Sequence, residues 1–282
     1  MNRRTFLTAS ASASASALLL SGLTSSSSPP QPIAAVPPPQ APSTKGLYIV
    51  WQGTLQYINH QTGEVRKLSD ENWSATSFMT ALGGKLYAIN ANLLYMINPD
   101  GTYRKLSSDS WIGTAFLYGS GSSLYAISQA KLYRINPADG SFKEIPTKTL
   151  EFIGVKNLVW CAGTMYCIAG TLCTLDLQTG AVSSVSKDNW GASAAEVFTA
   201  LGSTLYIIND GTLYSINPTN GSYKAVSDDD WSSAKKLLSL DGRLYIYADS
   251  ALYSIDPQTG AFTNVGNRRT LKNAYCITPL EG

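Results

Sequence analysis

Lys85-Leu86-Tyr87-Ala88-Ile89-Asn90-Ala91-Asn92-Leu93-Leu94-Tyr95-Met96-Ile97-Asn98-Pro99-Asp100-Gly101 reads as two short strands and a turn. Lys85 to Ile89 is one strand, Asn90-Ala91-Asn92 a tight connection, and Leu94 to Ile97 the next strand. Asn98-Pro99-Asp100-Gly101 then turns the chain, because proline presets φ and glycine accepts a positive φ. On the N-terminal side, Trp73 opens a strand that ends near Leu82, followed by a turn at Gly83-Gly84. On the C-terminal side, Thr102 to Leu106 makes a fourth strand. The turn glycine returns at Gly63, Gly101, Gly140, Gly180, Gly221 and Gly260, at intervals of 38 to 41 residues. A period near 40 with four strands per unit is the pattern of a β-propeller blade.

The second strand of each unit carries the most regular text: Leu47-Tyr48, Leu86-Tyr87, Leu124-Tyr125, Met165-Tyr166, Leu205-Tyr206 and Leu244-Tyr245. Its neighbours are apolar at both parities, as at Ile49-Val50 and Ile207-Ile208. Strict alternation would leave one face wet, so these strands are expected to be covered on both faces. The unit starting at Gly46 lacks a first strand, while Leu271 to Ile277 follows the last fourth strand with no successor. The C-terminal segment is therefore expected to supply the missing strand and close a six-bladed, all-β propeller of four-stranded antiparallel blades. Closure removes the open edges that sheet proteins otherwise have to protect.

Residues 1–28 read as an export signal. Arg3-Arg4 precedes a weakly apolar Ala/Ser/Leu stretch, which resembles a twin-arginine signal. Residues 29–45 form a Pro-rich linker, and residues 24–45 hold seven of the 13 prolines. Such a segment is an extended spacer. Residues 46–282 are the propeller. The expected location is the periplasm or the cell exterior, with membrane contact only through an uncut signal. The net charge of +2 rests on that signal, since removing Arg3 and Arg4 from 21 basic residues leaves 19 against 19 acids. Beyond the signal, basic residues stand together only in pairs, such as Arg268-Arg269 and Lys235-Lys236, which argues against a nucleic-acid partner. The expected state is a monomer that binds a glycan or a protein.

Four connections between units share one pattern: Ser69-Asp70-Glu71-Asn72-Trp73, Ser107-Ser108-Asp109-Ser110-Trp111, Ser186-Lys187-Asp188-Asn189-Trp190 and Ser227-Asp228-Asp229-Asp230-Trp231. Glu71, Asp109, Asp188 and Asp229 each stand two residues before a tryptophan. In the other two units Leu150 and Leu271 replace the tryptophan, and Lys148 and Arg269 replace the acid. In a four-stranded meander these connections share a face with the second-to-third hairpins, away from the Pro-x-x-Gly turns. Two readings fit. Trp73, Trp111, Trp190 and Trp231 cover apolar sugar faces while the acids bind hydroxyls, or the tryptophans pack between blades and the polar residues hold the turn.

First strands line the channel of a propeller. Counting back from each first turn places Ser77, Ala115, Lys156, Glu196 and Lys235 at one level. Glu196 between Lys156 and Lys235 is the only acid–base candidate, for a hydrolase or lyase acting on an extracellular polymer; the alternative is an ion pair in a wet tunnel. His60, the single histidine, lies beside the turn at Gly63 and reads as a surface residue. One histidine excludes a multi-histidine metal centre within the chain, and no cofactor is expected. Asp228, Asp229 and Asp230 lack the alternating spacing of a calcium loop. Cys167 and Cys173 fall on adjacent strands, where a cross-strand disulfide and two buried thiols are both open. A third function class is an envelope-tethered scaffold that uses the Pro-rich segment as its tether.

The third-strand text Leu252-Tyr253-Ser254-Ile255-Asp256-Pro257-Gln258-Thr259-Gly260 resembles the quinoprotein-type propeller repeat, with its Asp-x-x-Thr-Gly stretch. Asp176 to Gly180 fits the same stretch, but Ser184 and Val265 stand where that repeat has its docking tryptophan. The Leu-Tyr text and the count of six are similar to the YWTD repeats of lipoprotein-receptor propellers, without their Trp-Thr-Asp. The acid-Trp loops resemble those of tachylectin- and tectonin-like sugar-binding propellers. These resemblances imply the fold over 46–277, and no family's functional residues carry over.

Overall fold

The computed structural model describes residues 44–146, 155, 157–191, 197–266 and 271–281. The proposed signal at 1–28 and nearly all of the linker at 29–45 lie outside them. The described chain is a six-bladed β-propeller.

Blade 1 orders its strands as Tyr275–Leu280, Gly46–Trp51, Thr54–Ile58 and Val65–Lys67. Blade 2 runs Thr76–Leu82, Lys85–Asn90, Leu93–Ile97 and Tyr103–Lys105. Blade 3 runs Thr114–Ser120, Ser123–Ser128, Lys131–Ile135 and Phe142–Ile145. Blade 4 runs Leu158–Cys161, Thr164–Ala169, Thr171–Leu175 and Val182–Ser184. Blade 5 runs Phe198–Leu201, Thr204–Asn209, Thr212–Ile216 and Tyr223–Ala225. Blade 6 runs Ala234–Leu240, Arg243–Ala248, Ala251–Ile255 and Phe262–Val265. The strand after Ala274 fills the vacant inner place of blade 1, so the chain ends close the ring. Its Tyr275 and Thr278 hydroxyls donate to Ser74 O at 3.0 Å and Met79 O at 2.7 Å, fastening blade 1 to blade 2.

Second strands are buried at both parities: Leu86, Ala88 and Ile89 are wholly inaccessible and Tyr87 nearly so. Each of the six apolar clusters takes residues from two neighbouring blades. Tyr48 and Val50 of blade 1 join Leu86 and Ala88 of blade 2, and Leu47 and Ile49 join Leu240 and Tyr245 of blade 6. Burying one such side chain contributes roughly 1.5–3 kcal/mol. Every interface is therefore held by its own apolar wedge, and the ring has no unpaired one.

Two expectations need correction. Trp73 does not open the first strand, which begins at Thr76; the indole belongs to the connection before it. The Pro-x-x-Gly turns are not remote from the inter-blade connections either. A Cβ on Gly101 would lie 2.5 Å from Leu68 O, and one on Gly221 or Gly260 would lie 2.5 Å from the Cβ of Ser186 or Ser227. The outer turn of one blade is thus pressed onto the start of the connection leaving the preceding blade. At Gly101 (φ 92°) both the dihedral and the close approach require glycine.

The turn text recurs between blades: blades 1, 4 and 6 share Gln-Thr-Gly at Gln61-Thr62-Gly63, Gln178-Thr179-Gly180 and Gln258-Thr259-Gly260. Blades 2 and 5 share Thr80-Ala81-Leu82-Gly83 with Thr199-Ala200-Leu201-Gly202.

Candidate functional site

The four tryptophans are buried between blades, with exposures of 2–5%. Each backbone N–H donates into the second-to-third hairpin of the preceding blade: Trp73 to Gly53 O, Trp111 to Asn92 O, Trp190 to Gly170 O and Trp231 to Gly211 O, all at 2.7–2.8 Å. Each indole meets two rings of its own blade edge to face. Trp73 lies 5.7 Å from Tyr95 and 5.3 Å from Tyr103, and Trp111 lies 5.7 Å from Tyr133 and 5.1 Å from Phe142. Trp190 meets Tyr214 and Tyr223 in the same way, and Trp231 meets Tyr253 and Phe262. Edge-to-face geometry suits the quadrupoles of the rings. Burial leaves these indoles no free face for a sugar.

Strand register shows that the three aromatic positions change as a set. The third-strand tyrosine becomes Gln56 in blade 1 and Cys173 in blade 4, and the fourth-strand aromatic becomes Val65 and Val182. Leu271, 5% exposed, takes the tryptophan's place in blade 1; Leu150 and Lys148 of blade 4 and Arg269 of blade 1 lie outside the described residues. The difference between blades is thus a packing difference first.

The Ser-x-x-x-Trp spacing has a local role as well. The Trp73 indole donates to Ser69 Oγ at 3.2 Å. Ser107 with Trp111, Ser186 with Trp190 and Ser227 with Trp231 repeat the spacing, with both polar atoms buried and unpartnered. The residue before the tryptophan caps the turn: Asn72 accepts from Ser74 N, Asn189 from Gly191 N and Asp230 from Ser232 N, each at 2.9 Å.

The carboxylates two residues before the tryptophans are a different matter. Glu71, Asp109, Asp188 and Asp229 are all exposed. Among the described residues none of them has an ion pair, and Asp109, Asp188 and Asp229 accept no hydrogen bond. Glu71 has one neighbour, the Tyr103 phenol, whose pKa is raised by desolvation and then by that carboxylate. Beside these loops stand the fourth-strand rings of Tyr103, Phe142, Tyr223 and Phe262, exposed by 40–49%. The sequence reading had missed them. The signal was an aromatic two residues after the turn glycine in four of six units.

The acid–base candidates are not assembled among the described residues. Lys156 and Glu196 lie outside them. Lys235 sits at a β-bulge between Ala234 and Lys236, and it is Lys236 that faces the channel cavities. Ser77 and Ala115 occupy the corresponding bulges of blades 2 and 3 and do line the channel.

His60 is buried rather than exposed. Its ring packs edge-on against Tyr245 at 6.1 Å, and Nε2 lies 3.4 Å from Asp241 Oδ2. Asp241 also pairs with Lys45, and hydrogen bonds from Lys45 and then His60 hold its carboxyl below the usual range. Cys167 and Cys173 are directly opposite on adjacent strands, both buried as thiols. Their shared hydrogen bond lowers the Cys173 pKa to about 6 and raises that of Cys167. No group of three or more His, Cys, Asp or Glu among the described residues is placed to hold a metal ion.

No protein-family model matches the sequence, and no curated protein matches it. Solved structures match at the level of fold. A chain of the nidogen/laminin complex superposes with a TM-score of 0.63 at 12% identity, covering 82% of this chain and 97% of its own. Virginiamycin B lyase from Staphylococcus aureus gives 0.54 at 13% identity, covering 81% and 86%. The extracellular domain of a hybrid two-component system from Bacteroides thetaiotaomicron gives 0.53 at 13%, covering 74% of this chain and 30% of its own. Their differing roles show that the shared architecture fixes no activity.

Proposed function

We propose that the chain is an exported, non-catalytic binding propeller whose partner is a protein presenting basic residues. The observation that carries this is the set of four exposed carboxylates, Glu71, Asp109, Asp188 and Asp229. They recur at one position of a loop that is already held by other groups. The indole anchors the connection, Asn72, Asn189 and Asp230 cap it, and the acids take no part in either. Their repetition therefore has no local folding role to explain it. Four like charges on rigid loops steer a cationic partner and hold it in one orientation. The nidogen/laminin complex contains a chain of this architecture in a protein assembly, and extracellular domains among the structural neighbours accord with export.

A glycan is the second partner class, favoured by the part-exposed rings of Tyr103, Phe142, Tyr223 and Phe262. In that case the aromatic contact comes from the outer strand and not from the buried tryptophans. The test is affinity capture from periplasmic and extracellular fractions, run beside a glycan array. Wild type is compared with the quadruple variant Glu71→Gln, Asp109→Asn, Asp188→Asn, Asp229→Asn. The expected result is salt-sensitive capture of a basic protein that the variant loses while its melting temperature is kept. Equal capture by both proteins would refute the site. Array binding lost on Tyr223→Ala but not in the quadruple variant would favour the glycan.

A further inference from the structure

The channel is asymmetric in a way that the blade repeat does not require. One residue per first strand marks a single level: Tyr275, Phe78, Phe116, Asn157, Val197 and Lys236 in blades 1 to 6. Phe78, Phe116, Lys236 and Tyr275 stand opposite Ile89, Ile127, Tyr247 and Val50. Asn157 and Val197 immediately precede the first strands of blades 4 and 5. Three adjacent blades thus present aromatic rings, and the three facing them present an amide, a valine and an ammonium. Five of the six, all but Val197, line a cavity of about 510 Å³.

Further along the strands the channel continues into a chamber of about 250 Å³ that shares Phe116, Asn157 and Lys236. At its far level five blades carry small residues: Pro279, Ala81, Gly119, Ala200 and Ser239. Blade 4 alone carries a large one, Trp160, which is 42% exposed. Five small walls leave room for one indole. Lys236 lines both chambers, and Trp160 lines the second.

No carboxylate among the described residues pairs with Lys236. Among the described lining residues Lys236 carries the one charge, and a cation between low-dielectric walls concentrates the local field and attracts an anion. Apolar walls with a few convergent polar groups, and a volume of several hundred Å³, are what a small-molecule site offers. We infer that the channel binds a small organic anion with a flat apolar body. Its ring packs on the Phe78–Phe116–Tyr275 side and its anionic group faces Lys236. This site is separate from the acidic loops, and its test does not depend on them.

The probes are 2-naphthoate and the isosteric neutral 2-naphthamide, titrated calorimetrically into the full-length protein. Naphthoate is expected to bind one to one, and Lys236→Met to weaken it about tenfold or more. Lys235→Met, outside the cavity, is expected to leave binding within about twofold. Naphthamide is expected to bind more weakly than naphthoate and to ignore Lys236→Met. Phe116→Ala is expected to weaken both probes. Melting temperatures of the variants report that folding is kept. The inference is overturned if naphthoate shows no saturable binding to the wild type at millimolar concentration. It is equally overturned if Lys236→Met, still folded, binds naphthoate as the wild type does.

Discussion

Replacing Trp111 by leucine puts into blade 3 the residue that blade 1 carries at Leu271. The indole is 4% exposed and touches Tyr133 and Phe142 edge to face. Exchanging tryptophan for leucine leaves a void of roughly 60 Å³, which at about 24 cal/mol per Å³ costs about 1.5 kcal/mol. Losing two edge-to-face contacts adds about 0.5–1.5 kcal/mol each. The expected loss is therefore about 2.5–4.5 kcal/mol, or roughly 10 °C in melting temperature for a domain of this size. The sharper expectation concerns coupling. Blade 1 pairs its leucine with Gln56 and Val65, so Phe142→Val should cost less in the Trp111→Leu background than in wild type. A double-mutant cycle by thermal and denaturant unfolding should give a coupling of about 1 kcal/mol between positions 111 and 142. Strict additivity, or a Trp111→Leu melting point within about 2 °C of wild type, would refute the packing account of the aromatic triad.

Three more outcomes follow from the same structure. Gly101→Ala should destabilise by about 2 kcal/mol or more, because its Cβ would fall 2.5 Å from the Leu68 carbonyl at φ 92°. Gly83→Ala, at φ 57° with nothing within 4 Å, should cost only about half as much. Asp241 has a folded-state pKa below its unfolded one, so its contribution is present above the unfolded value of about 4 and fades as pH falls through the folded value. Asp241→Asn should thus lower the melting temperature at pH 7 and converge with wild type in acid; a constant difference across pH would refute the linkage. Cys167 and Cys173 occupy opposed positions whose Cα separation in a sheet suits a disulfide. Oxidised glutathione should lower the intact mass by about 2 Da and leave only Cys161 and Cys276 to be alkylated in denaturant, and alkylation of all four thiols after that treatment would exclude the bridge.

The strands and their order were legible because backbone geometry is local. Leu-Tyr text with both parities apolar gave the doubly covered second strand, and the turn glycines gave the period. The missing strand before Gly46 and the spare one after Leu271 gave ring closure by counting. The site was less legible. A tryptophan after an acidic run has the same text whether its ring is exposed or wedged between blades. Only the Tyr95, Tyr133, Tyr214 and Tyr253 rings beneath it show which holds. The two adjacent lysines have a similar lesson, since the bulge between Ala234 and Lys236 brings Lys236 into the channel lining. His60 looked exposed beside its turn, and burial came from Tyr245 and Asp241, nearly 200 residues away in sequence.

By itself, then, the sequence determined the blade: its strands, its turns, its repeat and the number of copies. Each of those follows from side-chain parity and dihedral preference within about 40 residues. The tertiary structure decided what the differences between copies mean. Trp73, Trp111, Trp190 and Trp231 became packing residues, their neighbouring acids stayed exposed, and Lys236 and Trp160 came to share one channel. Those outcomes depend on which blades meet around the ring, and contacts between blades are set by closure rather than by any local run of residues.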